Sequence, residues 1–225
     1  MKPLITTIFL FVYIVAETSF SDNTIKVGFW NVENLFDLIN DPSVNDDEFA
    51  AGGRRNITEK IYNLKLKQLS EVLDKMQADI MGLCEVENRF VLEELNQMTK
   101  IDYTIVHYDS PDKRGIDVAL LYDASKFKVT DSAPITVNLP TGYPTRDILY
   151  VLGEVANNEL HLFVNHWPSK YGGSKKTIPL RATAGKTLRN KIEGILIKKP
   201  NAEIIVMGDL NDEPNDPSVH VHLGA

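Results

Sequence analysis

Ile204-Ile205-Val206-Met207-Gly208-Asp209-Leu210-Asn211 is a short apolar run that halts at a glycine and delivers two polar side chains one residue apart. A run this short, bounded by a turn residue and rich in β-branched side chains, reads as a strand buried on both faces. Three other segments follow the same plan: Gly28-Phe29-Trp30-Asn31, Gly82-Leu83-Cys84-Glu85 and Val164-Asn165-His166-Trp167-Pro168. Each carries an apolar strand into a group able to meet a metal or a phosphate. Open sheets collect ligand sites at strand ends, because rigid elements hold polar tips in a crevice. Carboxylate and amide oxygens with a histidine suit a hard divalent cation and a phosphoryl group. Magnesium keeps several waters and takes one or two protein carboxylates, so a single firm acidic ligand suffices.

Strands and helices alternate between these segments. Ile25, Val27 and Phe29 alternate with Lys26 and Gly28, which predicts a strand ending at Trp30-Asn31. Asp37 to Arg55 is polar and reads as a long loop, of the length that is usually functional or mobile. Asn56 with Glu59 gives a capping-box-like helix start, and Ile61, Leu64, Leu69, Val72, Leu73 and Met76 mark its apolar face. Asp79–Cys84 is a buried strand, Arg89–Met98 a helix, and Tyr103–His107 and Ile116–Tyr122 two more strands. Asp147–Val155 and Glu159–Val164 form a hairpin around Ala156-Asn157-Asn158. Thr177 and Pro179 open a last helix, with Leu180, Ala184, Leu188, Ile192 and Leu196 in helical period up to Pro200. No repeat or linker interrupts this order, which predicts one mixed domain.

The 225 residues are 43% hydrophobic and 24% charged, which excludes a disordered or fibrous chain. The single cysteine, Cys84, excludes a disulfide framework and a multi-cysteine zinc site, and in its apolar strand it reads as a small core residue. A net charge of −7 supplies no global basic field for nucleic acid. At the N-terminus, Lys2 precedes a nearly continuous apolar run from Leu4 to Ala16, and Ser19-Phe20-Ser21 offers small residues for cleavage. Residues 1–21 are expected to be a secretory signal peptide, too short in its apolar core to span a bilayer, so the mature chain is expected to be secreted or periplasmic and to carry no transmembrane segment.

Five motifs stand in an order that resembles the endonuclease/exonuclease/phosphatase superfamily, the deoxyribonuclease-I-like fold, in its bacterial secreted branch. They are Trp30-Asn31-Val32-Glu33-Asn34-Leu35-Phe36, Cys84-Glu85-Val86-Glu87-Asn88, Arg114-Gly115-Ile116-Asp117-Val118-Ala119, Asn165-His166-Trp167-Pro168 and Gly208-Asp209-Leu210-Asn211-Asp212. The resemblance spans about residues 25 to 225. It implies an α/β (α+β) four-layer sandwich, two packed mixed β-sheets flanked by helices, over residues 22–225. It also implies that the last strands are missing, because the family's later Asp motif and Ser-Asp-His-like motif have no counterpart before Ala225.

Matched position by position, the resemblance implies that Glu85 binds Mg2+ (Mn2+ or Ca2+ being alternatives) and that Asn31 orients it or the attacking water. His166 would contact the scissile phosphate, Asp209 and Asn211 would position the water, and Arg114 would grip phosphate. The implied activity is a metal-dependent phosphodiesterase or endonuclease acting on a phosphate ester, DNA or RNA included. A small-molecule phosphatase, a sphingomyelinase-like phospholipase and a non-catalytic binding module are the alternatives. Three secondary features also have readings. The acidic loop with Asp41, Asp46, Asp47 and Glu48 is expected to be solvated rather than a calcium site. Asp212, Glu213 and Asp216 are expected to be loop charges. Lys170, Lys175, Lys176, Arg181 and Lys186 form a basic cluster that is either a solvated helix face or a guide for a polyanion.

Overall fold

A computed structural model describes residues 24–225, so the expected signal peptide at 1–21 lies outside the described residues. The chain runs β1 (Val27–Leu35), α1 (Glu59–Met76), β2 (Ile80–Val86), α2 (Arg89–Asn96), β3 (Thr104–His107), β4 (Asp117–Tyr122), β5 (Lys128–Ile135), β6 (Ile148–Val155), β7 (Asn158–His166), α3 (Ser174–Lys198) and β8 (Glu203–Asp209), then a π-helical turn over Ser218–Leu223.

Two four-stranded mixed sheets form, in the orders β1-β2-β4-β3 and β5-β6-β7-β8. In the first, β1 lies parallel to β2 and the rest is antiparallel. In the second, β7 and β8 are the parallel pair. Each parallel pair needs a crossover, and α1 and α3 supply them. The sheets stack through Ile80, Cys84, Val118 and Leu120 of one against Leu149, Val151, Leu160, Leu162 and Val164 of the other. Helices α1 and α2 cover the outer face of the first sheet. Helix α3 and the C-terminal turn cover the second through Ala184, Leu188, Val219 and Leu223. The result is the expected four-layer sandwich. Ala156 and Asn157, both at positive φ (49° and 69°), close the β6–β7 hairpin as a two-residue loop.

Several local expectations change. Helix α1 is capped by Thr58, whose side chain accepts from Ile61 N, while Asn56 sits outside the helix at φ 51°. Its buried face is Tyr62, Leu66, Leu69 and Leu73, and Ile61 and Leu64 are exposed. The apolar residues of this helix wrap too far round for periodicity to select one stripe. Helix α3 begins three residues before Thr177 and carries Pro179 inside it. Strand β5 escapes a hydrophobic-pattern search because Thr130, Asp131, Ser132 and Pro134 interrupt it at the sheet edge. Cys84 is fully buried, and burial pushes its thiol pKa up, as a core residue requires. No helix among the described residues is long and apolar enough to cross a membrane.

Candidate active site

Strand β2 does not reach its end as a regular strand. Cys84 pairs with Val118 and Val86 with Asp117, leaving Glu85 as an extra residue at φ 63°. Such a bulge re-aims a side chain. Leu83 and Val86 both pack toward the helices, so the intervening turn sends Glu85 toward the other sheet. Strand β1 loses its register on β2 beyond Asn31, with Glu33 and Asn34 also left-handed.

Asn31 then closes the gap between the sheets. Its Nδ2 donates to Glu85 Oε1 at 3.1 Å and to Asp209 Oδ2 at 3.1 Å, while its Oδ1 accepts from Glu33 N at 2.9 Å. One amide therefore gathers a carboxylate from each sheet. His166 Nε2 lies 3.8 Å from Glu85 Oε1. The imidazole is buried, its Nδ1 has no partner among the described residues, and burial, then the Arg146 and Arg114 charges, depress its pKa to about 2. It stays neutral at any ordinary pH.

Asp209 and Asn211 leave β8 through a tight corner. A Cβ on Gly208 (φ 152°) would stand 2.3 Å from Asn165 O, so only glycine allows this approach of β7 and β8. Asn211 adopts φ 53°, which asparagine tolerates better than most residues. Its N donates to Asp209 Oδ1 at 3.0 Å and its Nδ2 to Trp167 O at 3.0 Å. Strained backbone gathered at Glu85, Gly208 and Asn211, beside linked polar groups, is the pattern of a functional site.

Five of the six residues expected from sequence thus come together: Asn31, Glu85, His166, Asp209 and Asn211. Arg114 is at the rim, half exposed, with its Nε 3.4 Å from Asp112 Oδ1. Three other readings need correction. Arg181 is completely buried and pairs with Asp212 at 2.6 Å, so it leaves the basic cluster, and Asp212 is a buried ion-pair partner rather than a loop charge. Asp46 is buried as well, beside Asp37 and Glu87, not solvated. Sequence reasoning missed Arg146 and Asp112, a buried pair 3.0 Å apart behind His166. The one signal for Arg146 was a charged Arg-Asp dipeptide immediately before an apolar strand.

The donor set fits a hard divalent cation, since two carboxylates converge on the Asn31 amide with a histidine nitrogen beside them, and no lysine or arginine among the described residues forms an ion pair with either acid. A separate group of possible ligands, His107, Asp109 and Asp117, lies beside β3 and β4. There His107 Nε2 and Asp117 Oδ2 already bond at 3.0 Å.

The sequence profile described as Endonuclease/Exonuclease/phosphatase family matches residues 26–225. The chain belongs to this family. No curated protein matches its sequence. Among solved structures, the endonuclease/exonuclease/phosphatase chain is similar to truncated Caenorhabditis elegans TDP2, at 20% identity and TM-score 0.55, over 67% of this chain and 56% of that one. The human nocturnin catalytic domain with bound sulfate gives 20% identity and TM-score 0.60 over 88% and 69%. The mannosyl-6-phosphatase of Bacteroides thetaiotaomicron gives 15% and 0.62 over 89% and 70%. At these identities the likeness establishes the fold. The chain spans about half the length of the C. elegans TDP2 structures it matches.

Proposed function

We propose that the protein is a secreted, Mg2+-dependent hydrolase of phosphate esters, a phosphodiesterase or endonuclease that uses an activated water. The observation that carries this is the Asn31 amide holding Glu85 and Asp209, one carboxylate from each sheet, beside a buried neutral histidine. Family membership agrees with hydrolase chemistry, and two structural neighbours are named as phosphatases, one of mannosyl-6-phosphate and one 2′,3′-cyclic. The signal-like residues 1–21 support secretion.

Glu85 would hold the Mg2+, which supplies charge neutralisation at the phosphate oxygens. Asn31 holds Glu85 and Asp209 together by donating to both, which offsets part of the repulsion between them. Asp209, oriented by Asn31 and by Asn211 N, presents a carboxylate that orients and polarises the attacking water. Neutral His166 offers one ring N–H to a phosphate oxygen, and its depressed pKa makes that donor independent of pH. Arg114, exposed at the rim, meets the incoming phosphate. These groups are fixed before substrate arrives, so little reorganisation is needed as charge builds in the transition state.

Plasmid DNA is the first substrate to test, with Mg2+ added against excess EDTA. Nucleotides, sugar phosphates and sphingomyelin follow in parallel. Metal-dependent nicking is expected, and a chain that hydrolyses none of these esters would overturn the reading.

A further inference from the structure

Arg146 lies just ahead of β6 with its guanidinium buried, and its bonds end on two backbone carbonyls and one buried carboxylate. Nε donates to His166 O at 3.1 Å, Nη2 to Trp167 O at 2.6 Å and Nη1 to Asp112 Oδ2 at 3.0 Å. Each acceptor leads to a different part of the site. His166 O belongs to the histidine itself. Trp167 O is also the acceptor for Asn211 Nδ2 at 3.0 Å. Asp112 Oδ1 receives Arg114 N at 2.9 Å and Arg114 Nε at 3.4 Å. The bonds therefore cross from the β3–β4 connection of the first sheet to β7 of the second.

Burying a guanidinium costs several kcal/mol before its partners compensate, so a fold that only needed bulk here would be served by an apolar side chain. The planar fork with fixed donor directions meets three acceptors at once, which the single ammonium of lysine does not reproduce. We infer that Arg146 is a positioning residue that sets His166, Asn211 and Arg114 in register with one another across the two sheets. This inference rests on the phosphoesterase reading of the site. Asp112 is its companion, holding Arg114 at the rim through the opposite carboxylate oxygen. A displacement near 1 Å of a reacting group costs about 100-fold in rate, so a residue that only positions still weighs on turnover.

The test compares wild type, Arg146→Lys and Arg146→Met in Mg2+-supported hydrolysis of bis(4-nitrophenyl) phosphate. The ring resonances of 13C-labelled histidine are recorded on the same proteins. In both variants kcat is expected to fall roughly 10- to 100-fold with KM within about threefold. The His166 signals should shift while those of His161 and His222 stay in place. Arg114→Ala, by contrast, should raise KM. Recovery of kcat by lysine, or a lowered melting temperature with kcat and the His166 signals unmoved, would reduce Arg146 to a structural residue and overturn the inference. If Arg146→Met does not fold, Arg146→Lys decides. A wild-type chain that hydrolyses no phosphate ester would instead sink the reading of the site, and the His166 signals alone would then judge the positioning.

Discussion

Glu85 and Glu87 flank a single valine at the end of β2, and the fold treats them in opposite ways. Glu85 faces the second sheet, where an amide donor and a histidine meet it. Glu87 is buried on the helix side, where its Oε2 accepts from Asp37 N at 2.7 Å and its neighbours are the Asp37 and Asp46 carboxyls. Burial, with those two acids adding to it, pushes the Glu87 carboxyl up to about 8. Asp46 is itself buried, with Oδ1 unpartnered among the described residues. The bulge at Glu85 separates the two environments, and residue type alone would not. One acid faces the cleft between the sheets, and burial keeps the other neutral under the long loop.

Glu85→Gln is expected to show the largest contrast, lowering Mg2+-dependent phosphodiester cleavage by about 10²–10³ while leaving thermal stability nearly unchanged. Comparable turnover in the variant and wild type would remove Glu85 from the mechanism.

Glu87→Gln should do the reverse, leaving kcat close to wild type and altering the pH dependence of stability. With its carboxyl at about 8 when folded and at 4.5 ordinarily, the native chain carries an extra proton between those values. Stability contributed by that proton is full below about pH 4.5 and declines as pH rises toward 8. Melting curves taken in EDTA across that window should therefore slope downward with pH in wild type and flatten in the variant. A parallel slope in both would contradict the assignment.

The smallest effect concerns Asn88, which caps α2 through Val91 N at 3.1 Å and donates to Asp37 Oδ2 at 3.2 Å. Asn88→Ala should cost about 1 kcal/mol, read as a drop of a few degrees in melting temperature. A larger loss would mean that the cap also holds the acidic pocket together.

Much of this was legible from the residues, for identifiable reasons. Strand Ile80–Val86 is apolar on both faces, so its buried position is written in composition, whereas Ile204–Met207, expected from the same apolar run to be buried, lies half-buried at the edge of its sheet, because composition does not say how many strands flank it. Polar residues that terminate such strands are conspicuous, which is why Asn31, Glu85, His166, Asp209 and Asn211 stand out. What escaped has a common cause, because it depends on direction rather than type. Alternation along β2 gives no hint that a left-handed Glu85 reverses which sheet face follows it. Helix α1 shows enough apolar residues for two faces, and only packing against Val32, Leu83 and Leu92 chooses Leu66 over Leu64. Arg181 sits in a run of surface-like lysines yet turns inward, because Asp212, in the loop after β8, meets it. Arg146 and Asp112 are far apart in sequence and meet only once the two sheets stack.

The central claim is that a cation sits where the two sheets bring their carboxylates together. Crystals soaked in Mn2+ and measured at the manganese absorption edge test it most directly. The account predicts a strong anomalous peak against the Glu85 carboxylate, in the opening shared with Asp209 and His166. A peak only beside His107, Asp109 and Asp117, or none at Glu85 at a concentration that supports turnover, would contradict it.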